Sequence, residues 1–147
     1  IELASHSRLI AWDMICLGRP ASGETFAQGS IRQTLEIKQQ GRTLLNDRLL
    51  IEGASPMLSE SWGFHGYGVI GYLVATPATP YIRDKVREIA GFEKSVRLST
   101  TLIDRLLICR VLADKAELAR RKLIKVWQLI RPEIMAKEAI QPRIWHT

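Results

Sequence analysis

The stretch Arg8-Leu-Ile-Ala-Trp-Asp-Met-Ile-Cys-Leu-Gly-Arg-Pro-Ala-Ser-Gly-Glu24 sets the reading of the whole chain. An apolar, β-leaning run (Leu9, Ile10, Trp12, Met14, Ile15, Leu17) meets Gly18-Arg19-Pro20. There glycine permits unusual dihedrals and proline withdraws a backbone donor, so a strand should end in a shaped loop. Side chains alternate between a face with Leu9, Ala11, Asp13, Ile15 and Leu17 and one with Arg8, Ile10, Trp12, Met14 and Cys16. Both faces are mostly apolar, which predicts a central strand buried on two sides. Asp13 then stands out, because a carboxylate among apolar neighbours needs a partner.

Working outward, the glycines and small polar residues of 18–29 predict an irregular loop. Ser30 to Lys38 alternates, with Ile31, Leu35 and Ile37 inward and Arg32, Thr34, Glu36 and Lys38 outward. Gln39-Gln40-Gly41-Arg42 supplies a turn and Thr43 to Glu52 the return strand of a hairpin. Residues 53–67 read as a long surface loop, and Val69 to Ala75 as a short strand. Thr79-Pro80 has the pattern of an N-cap followed by proline at the first helical position, opening an amphipathic helix that Gly91 closes. Ser95 to Leu98 and Ile103 to Leu112 read as strands. A longer helix starts at Asp114, spaced from Glu117 as in a capping box, and Pro132 ends or kinks it. Trp145 is expected to anchor the tail. The fold class that follows is α+β, mostly β, with layered antiparallel or mixed strands and two helices at about 79–90 and 114–131.

A chain of 147 residues with 46% hydrophobic content is one domain's worth, or a fragment of something larger. Its net charge of +6 invites a basic nucleic-acid-binding module as the alternative function. Most basic residues are interleaved with acids, however, and the one cluster, Arg120-Arg121-Lys122 with Lys125, is read as a solvated helix face in preference to a site for an acidic partner or nucleic acid. Cys16 and Cys109 sit in apolar runs and are read as buried structural thiols, with a reducing cytoplasm the natural location. No stretch reaches the ~18 apolar residues of a membrane span.

Catalytic spacing is weak throughout. Gly66-Tyr-Gly-Val-Ile-Gly71 has the letters of a dinucleotide-binding motif, but its glycines enter a β-leaning run, so backbone packing is the better reading. There is no Gly-x-Ser-x-Gly elbow and no phosphate loop. No His or Cys pair has ligand spacing, and His65 is the weak candidate for a metal ligand. The informative residues are charges inside strand-like runs: Asp13, Asp47, Arg48, Asp104, Arg105 and Arg110. Burying such groups singly costs several kcal/mol, so the carboxylates are expected to pair with these arginines, as structural salt bridges or as a polar passage between sheets.

The opening stretch, with Leu35-Glu36-Ile37, Leu44 to Leu49, Leu102 to Leu107 and Pro142-Arg-Ile-Trp145, resembles the urease accessory proteins called UreD or UreH. The resemblance covers the carboxy-terminal half of that family, and the chain begins at Ile1, so it is expected to be the carboxy-terminal part of a longer protein. It implies a mostly β fold and a non-catalytic urease maturation factor in the cytoplasm. Such a factor binds apo-urease and a helical accessory protein (UreF), and through it a GTPase (UreG). Nickel would be cargo in transit and no cofactor would be stably bound; neither nucleic acid nor membrane is a partner. Trp12, Gly18, Arg19, Pro20, Gly23, Glu24, Asp104, Arg105, Arg131, Pro132, Arg143 and Trp145 most resemble family signatures. Of these, Arg19, Glu24, Arg131, Arg143 and Trp145 are expected to bind partners or shape loops.

Overall fold

A computed structural model describes residues 1–19, 22–91 and 93–146; Pro20 of the expected signature lies outside them. Among the described residues seven strands form two sheets. Sheet one holds β1 (Glu2–Leu3), β3 (Ser30–Gln39) and β4 (Arg42–Glu52) in the order β1-β3-β4. Sheet two holds β2 (Leu9–Cys16), β5 (Val69–Thr76), β6 (Val96–Ile103) and β7 (Leu106–Ala113) in the order β2-β5-β7-β6, all antiparallel. The helices are α1 (Pro56–Ser59), α2 (Pro80–Glu88) and α3 (Ala116–Met135), followed by a 3-10 turn at Arg143–His146.

Sheet two is the middle layer. Leu73, Cys109, Val111 and their neighbours face α2 and α3, burying Val86, Leu123, Trp127 and Ile130. The opposite face meets sheet one through Leu3, Ile37, Val74, Leu106 and Ile108. This double burial explains the near-continuous apolar runs of β5 and β7. It also corrects the expectation for β2, which is an edge strand. Its two apolar faces record a place between layers, with Ile10, Trp12 and Met14 toward the helices and Leu9 and Ala11 toward sheet one.

Gly71 sits where α3 crosses β5. A Cβ there would meet Leu123 Cδ1 at 3.1 Å and Val111 Cβ at 3.2 Å, so this glycine serves helix packing. Within residues 53–67 the structure forms α1, a single turn opened by Pro56.

Thr79 caps α2 as read, its side chain accepting from the Ile82 N–H. The start of α3 differs: Lys115 is the N-cap and no side chain caps it. Pro132 does not end α3, which runs to Met135 and stops at Ala136 in the left-handed conformation, φ 52°. Proline removes one helical bond, but Ile134 is 1% exposed and its carbonyl accepts from Arg8 at 3.0 Å, so tertiary contacts hold the last turn.

Asp104 and Arg105, read as strand residues, are the two-residue turn between β6 and β7, with Asp104 at φ 53°. Aspartate tolerates that region because its short side chain bonds locally. Their charge is thereby removed from the sheet interior.

Candidate functional site

One row of residues crosses all of sheet two. Asp13 is opposite Tyr72, Tyr72 opposite Arg110, and Arg110 opposite Ser99. The period of two puts the row on the face toward sheet one, where Gln33 of β3 and Asp47 of β4 look back at it. Together they line a cleft of about 640 Å³ between the sheets.

Two polar links span it. Arg110 donates to Asp47 Oδ2 at 2.9 Å, and Gln33 Nε2 donates to Asp13 Oδ2 at 3.4 Å. Asp13 also accepts from the Met14 N–H at 2.8 Å. The expected pairing with arginine therefore holds for Asp47 and not for Asp13, whose partners are an amide and a backbone N–H.

Between them the Arg110 guanidinium lies 5.3 Å from the Tyr72 ring centre. The Tyr72 hydroxyl is buried and has no hydrogen-bond partner of good geometry among the described residues. Burial first, and the Asp47 carboxylate second, push its phenol well above the usual range. Chemically the cleft offers two carboxylates, the hydroxyls of Tyr72, Ser99 and Thr34, and two arginines, Arg110 and Arg97. Among the described residues no group of three or more His, Cys, Asp or Glu comes together to hold a metal.

The other predicted residues lie elsewhere. Arg48 is on the outer, solvent face of β4, where its Nε donates to Asn46 at 3.4 Å. Asp104 and Arg105 sit at the far end of the sheets, lining a second groove. His65 is exposed at φ 53°, its ring 6.2 Å from that of Tyr67.

Arg19 and Glu24 close the loop after β2. Their guanidinium and carboxylate make two bonds of 2.7 and 2.6 Å, and their backbones exchange two more. Gly18, at φ 78°, lets Glu24 approach, since a Cβ would stand 2.5 Å from the Glu24 carbonyl oxygen. Trp145 packs edge-on against Trp12 at 5.4 Å and Trp127 at 4.9 Å, and its carbonyl accepts from Arg120. Arg131 lies 5.1 Å over Trp127 and donates to the Glu138 carbonyl, while Arg143 is exposed in the 3-10 turn.

The basic cluster on α3 is a solvated face only in part, with Arg121 and Lys125 exposed and the other two covered. Lys122 is 4% exposed and donates to Glu93 at 2.5 Å and to the Ile89 carbonyl at 3.3 Å, Arg120 is half-buried under the tail, and Arg121 pairs with Glu117. Cys109 is buried as expected; Cys16 is exposed at the end of β2.

Gln33, Tyr72 and Ser99 were not singled out by reading the sequence. Tyr72 carried a signal: it shares the phase of Arg110 once β5 and β7 are paired.

Comparison of the sequence with known proteins matches it to a family. The model for the UreD urease accessory protein matches residues 1–146. A urease accessory protein UreD of Pseudomonas fluorescens is 40% identical over 148 residues, covering 100% of this chain and 52% of the relative. One of Citrobacter koseri is 41% identical, covering 99% and 49%, and one of Alkalilimnicola ehrlichii 35%, covering 99% and 50%. The chain thus spans about half the length of the curated relatives it matches.

Proposed function

The chain belongs to the UreD family of urease accessory proteins, and on that premise we propose that it is part of a non-catalytic scaffold for urease maturation. It binds apo-urease and a UreF-like helical accessory protein, meets a UreG-like GTPase through the latter, works in the cytoplasm, and passes nickel onward without keeping it. The observation that carries the reading is the family match along residues 1–146.

The cleft supports the transit part of the proposal. Nickel accepts imidazole and carboxylate ligands, and a site that must release its ion needs few and weak ones. Asp13 and Asp47 offer separated carboxylates on facing sheets, and Asp47 is neutralised by Arg110 until a cation competes for it. Asp47 therefore exchanges an internal cation for a passing one and returns to it.

The test is complementation. In a urease-positive host deleted for its own UreD, the full-length protein should restore urease activity and the nickel content of purified urease. It should also co-purify with apo-urease and the helical accessory protein. Failure to associate with either would overturn the proposal.

A further inference from the structure

We propose that the groove at the opposite end of the two sheets docks an acidic segment of a partner protein. This rests on the scaffold reading above and goes beyond it by naming a surface and the chemistry of its occupant.

The groove, about 890 Å³, is built where three connections converge: the β1–β2 loop, the β3–β4 turn and the β6–β7 turn. Each brings a cation. Arg8 comes from the first, Arg42 from the strand start that follows the second and Arg105 from the third, against one carboxylate in the lining, Asp104. Residues far apart in sequence are thus gathered into one concave surface where three guanidiniums outnumber one carboxylate, leaving a net positive field facing outward.

Local neutralisation is missing there. Arg8 is engaged by a carbonyl, at the C-terminal end of α3, and keeps its charge. Among the described residues Arg42 and Arg105 have no ion-pair partner and are exposed. Arg105 is held by its backbone alone, its carbonyl accepting from Ala78 at 2.8 Å. Two guanidiniums on separate turns, each with a free donor fork, suit carboxylates presented along an extended segment.

The lining argues for protein over nucleic acid. Its described residues include no Phe, Tyr or Trp on which a base would stack. Gln39, Gln40 and Thr43 supply neutral hydrogen-bonding groups beside the cations, as a peptide backbone would use.

The experiment uses the full-length protein, wild type and Arg42→Glu/Arg105→Glu, titrated with a short polyglutamate peptide and with duplex DNA at low and moderate salt. Both residues are exposed, and unchanged thermal unfolding checks that the variant is folded. The expected result is salt-sensitive peptide binding that weakens roughly tenfold or more in the double variant, with hydrogen-exchange protection at the three connections. No peptide binding, binding unchanged in the double variant, protection mapped elsewhere, or DNA bound more tightly than peptide and lost in the variant would each overturn the proposal. Failure of the scaffold reading is distinguishable: wild-type protein would then bind the peptide through this groove yet capture neither urease nor accessory protein.

Discussion

The two ends of the space between the sheets are made from the same strands and treat charge in opposite ways. At one end Asp13, Asp47 and Arg110 are linked across the cleft to amide and ionic partners. At the other, Arg42 and Arg105 face a groove holding a single carboxylate. An apolar plug of Leu3, Ile37, Val74, Leu106 and Ile108 separates them. The difference is one of pairing: Asp47 and Arg110 neutralise each other across the cleft and Asp13 is held by neutral donors, whereas Arg42 and Arg105 are free to act on something else.

The plug is where the comparison breaks most severely. Ile108 is 1% exposed, so Ile108→Ala should cost about 2–5 kcal/mol, read as a fall in the midpoint of denaturant unfolding. A loss below about 1 kcal/mol would mean that the plug is not a packed barrier.

Asp47→Asn should be far milder. Both partners of that ion pair are partly solvated, and its loss should cost less than about 1 kcal/mol. The sharper readout is Tyr72, whose phenol is held up by burial and then by Asp47. In an ultraviolet titration one phenol should ionise well above the usual value of about 10; in the variant it should ionise earlier while staying raised, because burial remains. The sign for stability is fixed: the unfolded chain releases that proton first, so this contribution is full below pH about 10 and is lost as pH rises further.

At the groove, Arg42→Glu/Arg105→Glu should change stability by no more than about 0.5 kcal/mol, because neither residue has an ion pair to lose. A larger drop in thermal midpoint would show that the groove charges are structural after all.

The smallest effect separates the helix side of sheet two from its rim. Cys16 should react with a thiol reagent in the native protein. Cys109, buried and bonded to Thr100, has its thiol pushed up to about 11 and should react only after unfolding. Two thiols reacting at equal rates would contradict this.

Much of this architecture was legible in the sequence. The β3–β4 hairpin, the Thr79-Pro80 start of α2, the apolar stripe of α3 and the family itself follow from local patterns that the fold keeps. What was not legible depends on tertiary placement. Two apolar faces on β2 read the same whether the strand is central or a half-buried edge strand between layers. Asp104-Arg105 lacks the glycine that usually marks a two-residue turn, and Lys122 shows no trace in sequence of the half-exposed Glu93 carboxylate that its buried ammonium reaches. Of the charged residues proposed for the interior, Asp13, Asp47 and Arg110 converge because their strands pair in register, which single-strand alternation does not reveal.

The most direct measurement is co-purification from cells expressing urease and its accessory proteins, comparing the full-length wild type, Asp47→Asn and Arg42→Glu/Arg105→Glu. The account predicts that Asp47→Asn stays associated while yielding urease with less nickel, and that the groove variant is lost from the complex. Retention of the groove variant together with loss of Asp47→Asn would contradict it.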